Sequence, residues 1–292
     1  MDTIQLKARA KINLGLDVIR KREDGYHEVR MIMQSLKMYD ELTITKVCEP
    51  GITIKTNRVY LPVNEDNLIY KAARLIMDNY EIKGGIEVEL EKFIPVSAGM
   101  AGGSSDAAAT LVGMNQLFSL GISKKKLMEL GKTIGADIPF CIMRGTVLAE
   151  GIGEKLTPLD SQFSYPVVIA KPPVNVSTGF VYENLKLQGV EHPDIDGMLK
   201  AINEGDMDGV CERLGNVLET VTIPKYPVIK EIKQKMLDMG AKGSLMSGSG
   251  PTVFGIFENF STARKCADEL KEGELARQVF VTEFFNIRNN AK

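Results

Sequence analysis

The first stretch of the chain alternates between apolar and polar residues over fifteen positions. From Ile4 to Val18 the even positions are apolar, whereas the odd positions are mostly polar and include Lys11 and Asn13. A period of two is that of a β-strand with one buried face and one solvated face. Because this length exceeds the usual strand of about 5–6 residues, we expect a bend or two consecutive strands near residues 8–11. Lys11 and Asn13 then project from the same face.

Both strand and helix periods continue along the rest of the chain. In the first half the pattern predicts a turn at 22–25, strands at 29–36, 41–47 and 85–91, and helices at 67–80 and 104–119. In the second half it predicts strands at 165–173, 243–246, 252–257 and 278–285, with helices at 261–272 and before Gly240. Asp66 or Asn67 is suited to cap the helix that begins there. Since helices and strands are mixed throughout, we predict the α+β class.

Composition places the chain among ordinary globular proteins. It has 292 residues, of which 44% are hydrophobic and 25% charged, which is enough for about two domains. We expect the boundary in the linker-like segment 156–161, which gives domains at 1–160 and 161–292. A net charge of -2 gives no electrostatic reason to expect nucleic acid as a partner.

Cysteine usage and hydropathy indicate a cytoplasmic protein. The four cysteines are far apart in the sequence and form no CxxC pair, so neither a disulfide framework nor a zinc cluster is expected. No apolar run has the length that spans a bilayer, and the first four residues do not resemble a secretory signal. The protein is therefore expected to have no membrane partner. The expected assembly is a monomer or a weak homodimer.

The segment PVSAGMAGGSSDAAA carries the strongest chemical signal. Gly99, Gly102 and Gly103 let the backbone approach a ligand closely, and the helix that follows presents unpaired amides with a partial positive charge. Such a turn binds phosphate. The hydroxyls of Ser104 and Ser105 would add donors or help to hold a phosphate-bound Mg²⁺. The alternative is a strand-to-helix turn whose serines only cap the helix.

This segment differs from the two common nucleotide-binding loops. It lacks the Gly-Lys-Ser/Thr ending of a Walker A loop. Its glycine spacing is also not that of the GxGxxG fingerprint. Asp106, in the first helical turn, would repel a triphosphate unless its carboxylate points away.

Two charged residues are further candidates. Asp137 lies among apolar neighbours and close to Pro139, which indicates a partly desolvated carboxylate. Taken alone, such an aspartate is more often a turn residue that bonds its own backbone. The spacing of Lys11 is equally that of a solvated strand lysine such as Lys7.

Three motifs in order resemble the GHMP kinases, a superfamily of small-molecule kinases. ARAKINLGLDV resembles the first family motif, PVSAGMAGGSSDAAA the second and SLMSGSGPTVFGIF the third, so the likeness extends across most of the chain. The resemblance implies a two-domain α+β architecture, with a ribosomal-protein-like N-terminal half and a ferredoxin-like α/β sandwich in the C-terminal half. The chain departs from the family at Ala101, where glycine is common.

The resemblance also implies ATP with Mg²⁺ as the phosphoryl donor. The implied ATP-binding residues are Asn67, Pro95, Gly99, Ala101, Gly102, Gly103, Ser104 and Ser105, with Ser105 as a weak candidate for a metal contact. It makes Asp137 and Lys11 the catalytic residues at the acceptor hydroxyl, and Asn13 a substrate-binding residue. The glycine-rich third motif would close over the phosphates, although its alternative is a plain β-hairpin; its residues are Ser247, Gly248, Ser249 and Gly250.

The segments DGYHE and GADIPF resemble the cytidylate-recognising members, which act in the non-mevalonate isoprenoid route. This implies a sugar alcohol tagged with cytidine diphosphate as the acceptor, with Tyr26 stacking on the cytosine and His27 bonding its polar edge. Tyr182 is expected as the second aromatic wall, and Phe180 is the reserve. Taken alone, Tyr26 would be an edge-strand aromatic residue and His27 a surface imidazole.

Three other functions stay open at this point. Another GHMP kinase, of the mevalonate or homoserine type, would share the ATP machinery but would have no use for Tyr26 and His27. A non-catalytic nucleotide-binding regulator would not need both Lys11 and Asp137. A nucleic-acid-binding module is disfavoured by the near-neutral charge.

Overall fold

A computed structural model describes residues 2–287 of the chain. The strands are β1 (Thr3–Lys21), β2 (His27–Val47), β3 (Gly51–Thr56), β4 (Gly85–Glu91), β5 (Thr146–Gly151), β6 (Lys155–Leu159), β7 (Pro166–Lys171), β8 (Gly215–Asn216), β9 (Gly243–Met246), β10 (Val253–Ile256) and β11 (Gln278–Glu283). The helices are α1 (Leu68–Asn79), α2 (Gly102–Leu117), α3 (Lys124–Lys132), α4 (Ile138–Met143), α5 (Thr178–Glu183), α6 (Ile195–Glu204), α7 (Met207–Glu212), α8 (Glu219–Lys225), α9 (Val228–Asp238) and α10 (Phe260–Glu272). The predicted α+β class is confirmed. None of the helices between residues 2 and 287 is both long and apolar enough to cross a membrane.

The chain divides into two compact units, and no single cut along the sequence separates them. Unit 1 collects the residues up to Ala10, Met38–Val96 and Ala101–Met143. Unit 2 collects Lys11–Lys37, Ser97–Met100 and the residues from Arg144 onward. Strands β1 and β2 therefore contribute one part to each unit. The sequence boundary near residue 160 stays a prediction.

Unit 1 contains a sheet with helix α2 packed closely against it. Strand β3 pairs in parallel with β4, which pairs in antiparallel fashion with Glu41–Val47 of β2. Helix α2 meets this sheet at Gly113, where an added Cβ atom would stand 2.6 Å from Leu6 Cδ1 and 2.8 Å from Ile44 Cδ1. Since a larger side chain would overlap both leucine and isoleucine, glycine at this position permits the close packing of helix on sheet.

In unit 2 the remaining parts of β1 and β2 form a hairpin. The predicted turn is present, with Arg22 N donating to Tyr26 O at 2.8 Å and Gly25 at a φ of 85°. Residues Val29–Gln34 of β2 pair with β5, and β5 pairs with β6, both in antiparallel fashion. Strand β8 adds a short parallel pairing along β1.

A second sheet in unit 2 has four antiparallel strands in the order β11-β7-β10-β9. Counted along the chain, these are the fourth, first, third and second strands of the sheet. Helix α9 packs on β9, and α10 packs on β7. This β-α-β-β-α-β arrangement is the ferredoxin-like sandwich, so the architecture predicted for the C-terminal half is confirmed.

Strand β1 is one continuous strand, so the alternative of two consecutive strands is wrong, whereas the bend near residues 8–11 stays a prediction. Residues 11–18 are buried on both faces, so the predicted solvated face is wrong there. Helix α6 covers that face, because an added Cβ on Gly15 would stand 2.6 Å from Ile195 Cδ1. Farther along the same face, Asp17 Oδ1 lies 2.7 Å from His192 Nδ1. The strands predicted at 29–36 and 41–47 likewise form a single strand, β2.

Candidate active site

The predicted phosphate turn begins helix α2 in unit 1. Ala101 precedes the helix in the left-handed region, with a φ of 54°, and no side chain caps the first amides. Ala101 O accepts the first bond of the helix, from Ser105 N at 2.8 Å. A helix N-terminus without a side-chain cap offers amide donors and a partial positive charge to an anion. The local geometry therefore suits a phosphate group.

Two glycines of this segment have a position that differs from the prediction. Gly102 and Gly103 belong to α2 rather than to a loop before it, so the predicted helix start at residue 104 is two residues late. An added Cβ on Gly102 would stand only 2.9 Å from Lys92 Nζ, whereas one on Gly103 would meet nothing closer than 3.5 Å. Gly102 is thus required for close packing, whereas a Cβ on Gly103 would make only an ordinary contact with Leu68.

Ser105, in the first turn of α2, has a hydroxyl that fits a phosphate-bound cation. Ser105 is buried, and its Oγ has no hydrogen-bond partner among the described residues. A buried hydroxyl without a partner is costly, so this atom fits a missing ligand. Within residues 2–287 there is no group of three or more histidine, cysteine, aspartate or glutamate side chains suited to a metal. The residues present therefore fit Mg²⁺ that is held chiefly by phosphates, with Ser105 as the contact from this chain.

A buried cluster of three charged side chains, which sequence reasoning missed, lies under this turn in unit 1. Lys92 donates to Asp106 Oδ2 at 2.7 Å and to Asp40 Oδ2. Burial and the charge of Asp40 raise the pKa of Asp106 well above its usual range, against the opposing charge of Lys92. Burial would lower the pKa of Lys92, but the charges of Asp106 and Asp40 outweigh it and raise that pKa. The carboxylate of Asp106 is therefore engaged away from solvent.

Asn67, also in unit 1, has a clear structural role. Its Oδ1 accepts from Ile69 N at 2.9 Å, so it caps α1 as predicted, and its Nδ2 donates to Pro62 O at 2.7 Å. Pro95 is buried. The nucleotide contacts of both residues stay predictions.

Asp137 lies immediately before α4 in unit 1. Its carbonyl accepts from Cys141 N at 3.0 Å, and Ile138 and Phe140, which follow it, are almost fully buried. The carboxylate is at the half-buried start of a short apolar helix, as its sequence neighbours indicated. Its catalytic role stays a prediction.

Lys11 is a buried cation rather than a solvated strand lysine. It is 5% exposed, and its Nζ donates to Asn13 Oδ1 at 2.8 Å and to Gly99 O at 3.2 Å. All three residues belong to unit 2. Asn13 is held in turn by Met31, whose Sδ lies 3.3 Å from Asn13 Nδ2. With its Nζ hydrogen-bonded and only 5% of the residue exposed, Lys11 places a positive charge in the interior of unit 2.

The third motif packs against the same residues of unit 2. Ser247 Oγ donates to Gly99 O at 2.9 Å. An added Cβ on Gly99 would stand 2.2 Å from Ser247 O, and one on Gly248 would stand 3.6 Å from Lys11 Nζ. Only glycine permits this approach of two backbones. The structure thus brings together Lys11, Asn13, Gly99 and the start of the third motif.

The third motif is a hairpin turn, but it is held from outside the hairpin. It joins the antiparallel strands β9 and β10, with Gly248 and Gly250 at φ values of 58° and 88°. Asn216 Nδ2 donates to Gly248 O at 2.8 Å, and Thr178 Oγ1 lies 2.8 Å from Ser249 Oγ. Asn216 and Thr178 were missed because neither adjoins a motif in the sequence.

The predicted cytosine-binding residues lie at the tip of the β1–β2 hairpin and on α5, all in unit 2. The rings of His27 and Tyr182 are 5.1 Å apart between centroids, at an angle of 39°. Tyr26 is 61% exposed. The reserve candidate, Phe180, instead has Lys225 Nζ over its ring at 3.5 Å. Burial, and secondarily the charge of Lys21, lowers the pKa of His27, so its imidazole is neutral at pH 7 and has both a donor and an acceptor nitrogen.

Comparison with known proteins shows that this chain is similar to kinases. The model of the GHMP kinases N terminal domain matches residues 67–145, and that of the GHMP kinases C terminal matches residues 198–274. A 4-diphosphocytidyl-2-C-methyl-D-erythritol kinase from Lachnospira eligens is 58% identical, over 98% of this chain and 99% of its own.

Solved structures of kinases are also similar to this chain, at lower sequence identity. A crystal structure of a 4-(cytidine 5'-diphospho)-2C-methyl-D-erythritol kinase is 32% identical, with a TM-score of 0.83 over 97% of this chain and 100% of its own. A homoserine kinase from Cytophaga hutchinsonii has a TM-score of 0.77 over 97% of this chain and 95% of its own, but is 22% identical. That second likeness is one of fold alone.

Proposed function

Because this chain belongs to the GHMP kinases, and within them to the 4-diphosphocytidyl-2-C-methyl-D-erythritol kinase family, we propose that it transfers the γ-phosphoryl group of ATP to the 2-hydroxyl of that cytidylate-tagged sugar alcohol. The protein is an ATP-dependent kinase with an alcohol acceptor, and its reaction belongs to isoprenoid precursor synthesis. The observation that carries the choice of acceptor is the contact between His27 and Tyr182.

Phosphoryl transfer requires alignment and charge compensation more than covalent chemistry. In our proposal the first amides of α2 bind the phosphates of ATP, with Gly102, Gly103 and Ser104 presenting them. Ser105 would contact Mg²⁺, which, when bound, neutralises charge on the β- and γ-phosphates. Gly99 and the Ser247–Gly250 turn would shape the backbone around the reacting groups.

Asp137 and Lys11 would serve the acceptor hydroxyl. Asp137 orients the hydroxyl, whose oxygen bonds the γ-phosphorus as the bond from that phosphorus to the bridging oxygen breaks and ADP leaves; the carboxylate then accepts the hydroxyl proton. Lys11 supplies positive charge against the charge that develops on the transferred group. Asn13 holds the ammonium of Lys11 in place and binds substrate.

Specificity would come from the cytidine end of the acceptor. The exposed ring of Tyr26 stacks on cytosine, and the neutral imidazole of His27 bonds its polar edge, with Tyr182 as the facing wall. Stacking of this kind contributes about 1–3 kcal/mol per base. An untagged polyol would therefore bind about ten- to hundredfold more weakly.

A coupled assay of ADP release tests the choice of substrate. Turnover is expected with 4-diphosphocytidyl-2-C-methyl-D-erythritol, and none is expected with mevalonate or homoserine. Free CDP should inhibit in competition with the acceptor, because it fills the cytidine pocket alone. Equal turnover with mevalonate would indicate another GHMP kinase, and ATP binding without any turnover would indicate a regulator.

The Asp137→Asn variant tests the chemical assignment. The amide retains the shape of the side chain but is a far weaker proton acceptor, so kcat is expected to fall by about a thousandfold or more, with ATP binding nearly unchanged. Steady-state kinetics and calorimetric titration with Mg-ATP measure the two quantities. A fall in kcat of less than about tenfold would contradict this role.

Tyr26→Ala is the matched control for that variant. It should raise KM for the cytidylate acceptor by about ten- to hundredfold while KM for ATP changes little, since only stacking is lost. Equal increases in both KM values would contradict the separation of the two pockets.

A further inference from the structure

The strongest feature that the proposed chemistry does not use is the buried ion cluster of unit 1. The side chains of Lys92, Asp40 and Asp106 are 4%, 0% and 5% exposed. Asp40 is anchored to the chain beyond β4, because its Oδ1 accepts from Phe93 N at 2.6 Å and from Ile94 N at 2.8 Å. Lys92 is therefore held between a fixed carboxylate on β2 and a carboxylate on α2.

The α2 end of this cluster reaches the turn proposed to bind phosphate. Asp106 follows Ser105 directly, and Lys92 Nζ lies beneath Gly102, only 2.9 Å from where a Cβ would be. The second carboxylate oxygen of Asp106, Oδ1, is buried without a hydrogen-bond partner among the described residues, as is Ser105 Oγ. The bond from Lys92 thus holds one oxygen of the Asp106 carboxylate at the first turn of α2.

We propose that Lys92, acting through Asp106, is a positioning residue that fixes the first turn of α2 for the phosphates of ATP. This inference rests on the proposed function, because it takes that turn to be the phosphate site. Its physical basis is that Asp40 already holds Lys92, so the bond from Lys92 Nζ to Asp106 Oδ2 at 2.7 Å leaves the α2 carboxylate one favourable arrangement, and removing that oxygen releases the first turn of α2 from this anchor. Misplacement of a binding group by about 1 Å is enough to lower a rate about a hundredfold.

Asp106→Ala and Asp106→Asn separate positioning from charge. Alanine removes the oxygen that Lys92 bonds, so KM for ATP is expected to rise at least about tenfold and kcat to fall about ten- to hundredfold. KM for the cytidylate acceptor should stay within about twofold. Asparagine retains an oxygen at the same position, so KM for ATP and kcat of Asp106→Asn should return most of the way to the values of the unaltered enzyme.

The matched control removes an ion pair from the same unit, away from the turn. Lys55 lies 2.9 Å from Glu87 on the surface of the sheet and is 60% exposed. Lys55→Met should leave both KM values and kcat unchanged, because exposed pairs contribute little. The thermal midpoint of every variant is measured beside its kinetics, since a loss of stability alone lowers the fraction of active enzyme without changing KM for ATP.

Calorimetric titration with Mg-ATP distinguishes failure of this inference from failure of the proposed function. If the unaltered enzyme turns over no cytidylate acceptor, but Asp106→Ala still weakens ATP binding at least about tenfold, the positioning role stands and the proposed substrate is wrong. If Asp106→Ala lowers only the thermal midpoint, or if asparagine is as damaging as alanine, the positioning role is overturned.

A second variant keeps the test decisive if Asp106→Ala does not fold. Lys92→Arg keeps the charge but places a larger group beneath Gly102, so it should displace the turn and raise KM for ATP. Kinetics for ATP indistinguishable from those of the unaltered enzyme would overturn the inference.

Discussion

Ala101 has a backbone conformation that suits glycine better than alanine. Its φ of 54° lies in the left-handed region, where an L-residue with a Cβ atom costs roughly 1–2 kcal/mol. Ala101 is the residue immediately before α2, where no side chain caps the helix. Alanine in place of the family's glycine therefore adds backbone strain at the edge of the candidate phosphate turn.

Ala101→Gly is expected to stabilise the fold. Relief of left-handed strain outweighs the greater freedom that glycine gives the unfolded chain, for a net gain of about 0.5–1 kcal/mol in the free energy of unfolding. Urea denaturation followed by circular dichroism measures this gain. Ala263→Gly in the interior of α10 is the control and should lose at least about 1 kcal/mol. A loss of stability in Ala101→Gly would show that this alanine is not strained.

At the scale of elements, Asn67 has two roles, one observed and one predicted, and the two depend on different atoms of its side chain. The observed one is structural, since Asn67 Oδ1 caps α1 and its Nδ2 donates to the preceding loop. The predicted one is a contact with the nucleotide. A cap needs only the oxygen, whereas a nucleotide contact through the amide also needs the nitrogen.

Asn67→Asp should keep the cap and lose the nucleotide contact. Its free energy of unfolding is expected within about 0.5 kcal/mol of the unaltered protein, whereas Asn67→Ala should lose about 1 kcal/mol. KM for ATP should rise about tenfold in both variants, because neither retains the amide donor. If Asn67→Asp leaves KM for ATP unchanged, Asn67 is a helix cap and nothing more.

At the scale of the whole molecule, strands β1 and β2 decide how the chain is divided. Each passes from one compact unit into the other, so neither unit is a continuous piece of sequence. The four-stranded sheet lies wholly within residues 166–283, but α6 of the same unit packs on β1 at Gly15. The domain boundary near residue 160, the cytoplasmic location and the monomeric or weakly dimeric state stay predictions.

A fragment of residues 161–292 tests the boundary. It keeps every strand of the four-stranded sheet but loses Lys11–Lys37, so Ile195 and Met198 lose the strand they pack on. We expect the fragment to unfold at a lower urea concentration than the full chain and to bind an apolar dye that the full chain does not bind. Unfolding at the same midpoint as the full chain, without dye binding, would support an independent domain from residue 161.

The sequence by itself determined the fold class, about half of the elements and the residues that belong to the three motifs. Periods of two and of 3.6 are local properties, so the strands at 85–91 and 243–246 and the turn at 22–25 could be read directly. Asn67 was recognisable as a cap because capping depends on a few adjacent residues. Motif order also indicated the family.

Only the tertiary structure decided which polar residues are buried and what they bond. Lys7 and Lys11 occupy equivalent positions of the same alternating pattern, yet only Lys11 is buried, because segments far along the chain cover that part of β1. Lys92 and Asp106 carry no sequence signal of their pairing with Asp40, since the three residues come from distant segments. Burial and charge pairing depend on contacts between such segments, and a local pattern along one strand or helix contains no information about them.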